Sequence, residues 1–228
     1  MKRSTVNDII RDADAFIRSF GYIMPPFAYW SPEEMKARKV DSSAIFTSRL
    51  GWDITDYGQE KFDELGLFLF TVRNGVYADM KKGMGMLYAE KIMISRKDQL
   101  SPMHRHVVKA EDIINRGGGK LVLELFMSQA DGSVDREAEV SVPTDGVVRT
   151  MPAGSLLKLD PGESVTLVPG VWHAFWGEGG DVLIGEVSTV NDDLTDNIFV
   201  DKIGRFAEIE EDEAPAHLLV SDYDRLLG

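Results

Sequence analysis

The chain has 228 residues, a formal charge of −13 and no cysteine. Its length suits one large domain or a domain with an extension, and 43% apolar residues suffice for a real core, which excludes a disordered chain. The acidic balance argues against nucleic acid and anionic membranes as partners, and the absence of thiols removes disulfides, thiolate metal sites and cysteine nucleophiles together.

Taken in order, the first segment, STVNDIIRDADAFIRSF, repeats Ile9, Ile10, Phe16, Ile17 and Phe20 at near-helical spacing, with Ser4 or Thr5 as N-cap. It is charged throughout and has no apolar stretch of signal-peptide type. No apolar run is long enough to cross a bilayer, so the expected compartment is the cytoplasm. MPPF breaks the chain, and SPEEMKAR then predicts a helix with Ser31 as N-cap, Pro32 at the first helical position, and Glu33 and Glu34 in the first turn. The Gly, Asp and Thr of residues 51–61 predict loop; LGLFLFTVRNG predicts a strand closed by an Asn-Gly turn.

From about residue 87 short β-type runs alternate with turn signals: MLYAEKIMIS, KLVLELFMS, AEVSV, GVVRTM, SLLKL, SVTLV, VWHAFWG and DVLIGEVSTV. Such regular spacing predicts a β-sandwich or barrel. The expected organisation is an N-terminal helical and irregular extension, residues 1–86, packed on a barrel with a C-terminal segment, residues 87–228, in one structural domain. The acidic run EIEEDE reads as a solvated face.

Three of the four histidines fall in two strand contexts. If MHRHV is a strand, His104 and His106 point to one face, and two imidazoles on one cavity are ready metal ligands. Glu111 follows within reach of a bend, and Gly117, Gly118 and Gly119 predict a tight return before the next strand. In PGESVTLVPGVWHAF, two Pro-Gly turns bracket a β run that delivers His173 among Trp172, Phe175 and Trp176. His217 stands outside this pattern and reads as structural. Three imidazoles and a carboxylate leave positions open on a six-coordinate ion, and a set without thiolates tilts toward Mn, Fe, Co or Ni.

The run HRHVVKAEDIINRGG resembles the first motif of the cupin superfamily, and GESVTLVPGVWH resembles the second. The second departs from the pattern in having no residue between Pro169 and Gly170 and in lacking the asparagine expected after the histidine. The resemblance implies a mainly β fold, a cupin (double-stranded β-helix, or jelly-roll) barrel with an N-terminal helical extension. It implies His104, His106, Glu111 and His173 as metal ligands. GWDITDYG, LGLFLFTVRNG, YAEKIMIS and GEVSTVNDDLTDNIF extend the likeness to one family, the cupin D-lyxose isomerases. That resemblance implies a homodimeric sugar isomerase interconverting D-lyxose with D-xylulose and D-mannose with D-fructose. It also implies a divalent metal, usually Mn2+, with Co2+, Fe2+, Ni2+ or Zn2+ as alternatives.

Isomerisation of a 2-hydroxy aldehyde removes the C2 proton, returns one at C1 and stabilises charge on O1 and O2; a metal-assisted hydride shift is the other route. Lys109, between two ligands, is either solvated or a proton donor whose pKa a nearby cation lowers. Glu186 in IGEVST is either a base or a wall residue paired with Lys91. Asp193 and Asp196 in NDDLTDN, with Arg205, Glu208, Lys91 and Gln99, are candidates for sugar hydroxyls; Trp172 and Phe175 flank His173, and at least one of them packs in the core. Of these, Lys109, Glu186 and Asp193 are the catalytic candidates. The rival readings are an Fe(II) dioxygenase and a non-catalytic sugar-binding cupin.

Overall fold

The computed structural model describes residues 1–226. Helix α1 (Arg3–Ser19) opens the chain, followed by α2 (Pro32–Ala37) and α3 (Ser43–Thr47). Strands β1 (Gly51–Thr55) and β2 (Leu67–Arg73) precede a short α4 (Tyr77–Met80). Then come β3 (Tyr88–Ser95), β4 (Ser101–His106), β5 (Glu111–Ser128), β6 (Val134–Asp135), β7 (Val140–Thr144) and β8 (Val147–Met151). The rest are β9 (Ser155–Leu159), β10 (Ser164–Leu167), β11 (Trp172–Thr189), β12 (Asn197–Phe199) and α5 (Tyr223–Leu226).

The main sheet runs β1-β2-β3-β11-β4-β12, and β5 pairs with β11, β9, β10 and β6, so the sheet curls into a barrel. Every named pair in it is antiparallel. The fold is the expected mainly β cupin-type barrel with an N-terminal helix. Residues 51–55, expected as loop, form β1, because Trp52 and Ile54 bury against the helical layer and outweigh the turn-prone Gly and Asp. Strands β1 and β2 thus join the barrel sheet from within the segment assigned to the extension.

Strand β2 is buried on both faces. Phe68, Phe70 and Val72 meet Val6, Ile9, Ile10, Ala13 and Ile17 of α1, whereas Leu67 and Leu69 face the barrel with Met93 and Ile113. The start of α1 departs from expectation. Its N-cap is Lys2, with no side-chain cap. The acidic run serves instead: the Arg3 amide donates to the Glu210 carbonyl at 2.8 Å and the Ser4 amide to Oδ1 of Asp212 at 2.9 Å. The acidic residues of that run are exposed, as expected of a solvated face, and the run is also the acidic partner of the positive end of α1. In α2 Ser31 caps the helix as expected, and Glu34 reaches back to complete a capping box.

The glycines of the first motif do not make a return. Gly117, Gly118 and Gly119 lie inside β5, which continues unbroken to Ser128, opposite a bulge where β11 shifts register between Glu178 and Val182. A Cβ on Gly118 would lie 2.1 Å from the Asp181 carbonyl oxygen, and one on Gly119 2.6 Å from that of Glu178. Glycine is needed there for close backbone approach in a bent strand, and the 177–180 glycine cluster likewise sits within β11. Each 18-residue strand thereby spans both halves of the barrel.

Candidate active site

Alternation along β4 puts His104 and His106 on the barrel's inner face, and the register sets His173 of β11 directly opposite His104. The turn Val168-Pro169-Gly170-Val171, closed by the Val171 amide to the Val168 carbonyl at 3.2 Å with Gly170 at φ +89°, delivers His173. The adjacent Pro and Gly thus still make a tight turn. Ring centroids of His104 and His173 are 4.1 Å apart, and the ligand atoms of the three histidines lie within 4.8 Å of one another.

Nδ1 of His104 lies 2.8 Å from the Pro102 carbonyl and Nδ1 of His173 3.2 Å from that of Val171, so each ring donates from Nδ1 and turns a lone pair at Nε2 inward. Burial, then the neighbouring imidazoles, keeps the His104 pKa well below its ordinary value; burial, then Lys109, lowers that of His106. Neutral imidazole is the ligating form.

Glu111, the first residue of β5, sets Oε1 3.2 Å from Nε2 of both His106 and His173. Burial raises its pKa, but Lys109 and His106 outweigh burial and hold the carboxyl well below the usual range. Oε1 of Glu111 and both ring nitrogens of His106 are buried without a hydrogen-bond partner among the described residues. Convergent lone pairs on three nitrogens and one oxygen fit a metal ion.

An alternating chain of charge leads away from Glu111. Nζ of Lys109 lies 2.6 Å from Oε2 of Glu111 and 3.0 Å from Oε1 of Glu186. Lys91, directly across from Glu186 in the ladder, has Nζ 3.6 Å from Glu186 and 3.4 Å from Asp193. Arg205 lies 3.2 Å from Asp193 and 2.7 Å from Asp53. Burial lowers the Lys109 pKa, but Glu111 and Glu186 outweigh burial and hold it above its ordinary value. Burial raises the Asp193 pKa, yet Lys91 and Arg205 bring it well below the usual range, whereas burial dominates at Asp53 and leaves that carboxyl raised.

One cavity is lined by the three histidines, Glu111, Lys109, Glu186, Lys91, Asp193, Arg205 and Phe175. Four other candidates lie elsewhere. The Gln99 amide is committed to the Phe62 carbonyl and the Arg96 amide. Asp196 accepts the backbone amides of Val107, Val108 and Lys109, which shapes the loop after β4. Glu208 is exposed, and its carbonyl holds the N-terminal amine at 2.7 Å. Trp172 faces away from His173, under the Arg105 guanidinium, as strand alternation requires. His217 is structural, bonded through Nδ1 to the Trp30 carbonyl at 3.0 Å.

Sequence reasoning missed Asp53, Tyr57, Ser101, Asn197 and Phe199. The last four line the cavity, and the Tyr57 and Ser101 hydroxyls are 3.0 Å apart. An aspartate between Trp52 and Ile54 was the available signal for Asp53.

A family model described as D-lyxose isomerase matches residues 1–223. The chain is 46% identical over 232 residues to a D-lyxose/D-mannose isomerase of Serratia proteamaculans, covering all of both chains. It is 44% identical over 230 residues to that of Escherichia coli O157:H7, covering 98% of each. Among solved structures, the L-ribose isomerase of Geodermatophilus obscurus shares the fold with a TM-score of 0.62 at 18% identity, over 92% of this chain and 98% of that one. The L-ribose isomerase of Cellulomonas parahominis with L-psicose does so at 0.61 and 17%, with the same coverage. Among the described residues no helix is long and apolar enough to cross a membrane. The chain belongs to the D-lyxose isomerase family, and is a sugar isomerase of that type.

Proposed function

We propose that the protein interconverts D-lyxose with D-xylulose, and D-mannose with D-fructose, as an Mn2+-dependent isomerase working by proton transfer through a cis-enediol. The observation that carries this reading is the convergence of three inward imidazoles and Oε1 of Glu111 in the same cavity as Lys109 and Glu186. His104, His106, His173 and Glu111 would hold the ion. When bound, it supplies positive charge beside the sugar oxygens at C1 and C2.

Glu186 is the base: it takes the C2 proton of the aldose and returns a proton to C1, while O1 gains a proton and O2 loses one. Its carboxylate is buried, and Lys109 and Lys91 fix its position. Lys109 also offers an N–H toward O1 or O2, where it delivers a proton. Asp193 and Arg205 meet the hydroxyls farther along the sugar, and Phe175 gives an apolar wall.

The test is conversion of D-lyxose to D-xylulose by protein stripped of metal, then restored with Mn2+, beside His104→Ala. Turnover lost on stripping, regained with Mn2+ and absent in the variant supports the reading. Bound Mn2+ without turnover on D-lyxose or D-mannose overturns it.

A further inference from the structure

Asp53 and Arg205 hold each other through Oδ2 and Nη2 at 2.7 Å. The other atom of each group, Oδ1 of Asp53 and Nη1 of Arg205, is buried and has no hydrogen-bond partner among the described residues. An acceptor and a donor of one ion pair are thus both unspent. A hydroxyl, which donates once and accepts at its lone pairs, satisfies the two together. A phosphate or carboxylate would instead meet the repulsion of Asp53 and Asp193.

The pair also has a telling place. Arg205 lines the histidine cavity, Asp53 lines a neighbouring cavity, and Asp193 lines both, so the three make the partition between them. Five charged side chains separate Asp53 from Glu111 along the chain of ion pairs: Lys109, Glu186, Lys91, Asp193 and Arg205. The neighbouring cavity is edged by Thr47, Ser48, Asn74 and Asn191; the Asn74 amide is committed to the Ser48 and Asn191 backbone, and Oδ1 of Asn191 accepts from Lys91.

We propose that Asp53 and Arg205 read the terminal hydroxyl of the sugar, at the end that does not react. This rests on the isomerase reading above. D-Lyxose and D-mannose share their configuration at C2, C3 and C4 and differ beyond C4. A reader at the partition therefore acts on the part of the substrate where the two differ, with the neighbouring cavity giving room to the longer chain.

The experiment compares D-lyxose with 5-deoxy-D-lyxose on Mn2+-loaded wild type, Asp53→Asn and Arg205→Lys. Removing the terminal hydroxyl should lower kcat/KM at least about tenfold in wild type, mainly through KM, and by less than about threefold in either variant. A variant that only misplaces the fold would lose rate on both sugars and keep the tenfold ratio. Wild type that turns over both sugars equally overturns the proposal without any variant. So does an unchanged ratio in both variants. Wild type inactive on D-lyxose overturns the proposed substrate, and this inference with it.

Discussion

Oε1 of Glu111 lies 3.2 Å from Nε2 of His173, on a strand pair whose partners are set by register rather than by sequence proximity. His106 lies at the same distance, so one carboxylate oxygen faces two imidazoles. A group that binds the folded state alone stabilises it by mass action. At a hundredfold excess over Kd the gain is about 2.7 kcal/mol. For a chain of this size that predicts a rise in Tm of roughly 5–10 °C on adding Mn2+ to chelated protein. His106→Ala should abolish the rise, read by thermal denaturation with and without chelator.

Glu186 and Lys109 should part company when each is removed. Glu186→Gln keeps the shape and the contacts but cannot take a proton, so kcat should fall by about 10²–10⁴ while the protein stays folded. Lys109→Met leaves Glu111 and Glu186 buried without the cation between them. It should cost about 3–5 kcal/mol of stability in metal-free protein as well as activity. Urea unfolding beside steady-state rates separates the two, and a Glu186→Gln enzyme of wild-type rate would remove Glu186 from the chemistry.

Much of this site was legible because its signals are local. The i, i+2 spacing of His104 and His106 states a shared strand face, and Pro169-Gly170 states a turn before His173. The inner face of the barrel followed from the same alternation, which also sent Trp172 away from the cavity. Glycine was the ambiguous letter. Gly118 reads equally as a turn or as close backbone approach, and only the bulge of β11 decides it. Asp53 was hidden because turn-prone residues mask a strand whose burial comes from α1 and β2, distant in sequence. The side chains of Gln99 and Asp196 could not be excluded from the cavity, since their partners are backbone groups that the sequence does not place.

That bulge gives a quantitative test. Gly118 has φ +97° and its missing Cβ would lie 2.1 Å from a backbone oxygen, whereas Gly146 has φ +83° with open space around it. Gly146→Ala should cost about 1–2 kcal/mol from conformation alone. Gly118→Ala adds the clash to the strain and should cost about 3 kcal/mol or more. Equal losses in urea unfolding would mean that the two strands part readily at the bulge.

The contact between the acidic run and α1 predicts how the fold responds to acid. Arg3 is fully buried, with Nη2 2.8 Å from Glu211 and 2.8 Å from Asp222. The hydrogen bond from Arg3, against some burial and with help from Arg225, holds the Glu211 carboxyl at about 2, below its ordinary 4.5. A depressed carboxylate contributes stability that is fully present above the unfolded value and is lost as pH falls through the folded one, so the window runs from about 4.5 down to about 2. Glu211 keeps a third of its side chain exposed, so solvent screening reduces the contribution to about 1 kcal/mol. Glu211→Gln should lower stability at neutral pH by that amount and fall less steeply with acid across the window. Urea titrations of both proteins at several pH values would show it. Parallel pH profiles would mean that Asp222 alone neutralises Arg3, and that the acidic run holds α1 through its backbone, Asp212 and Glu213.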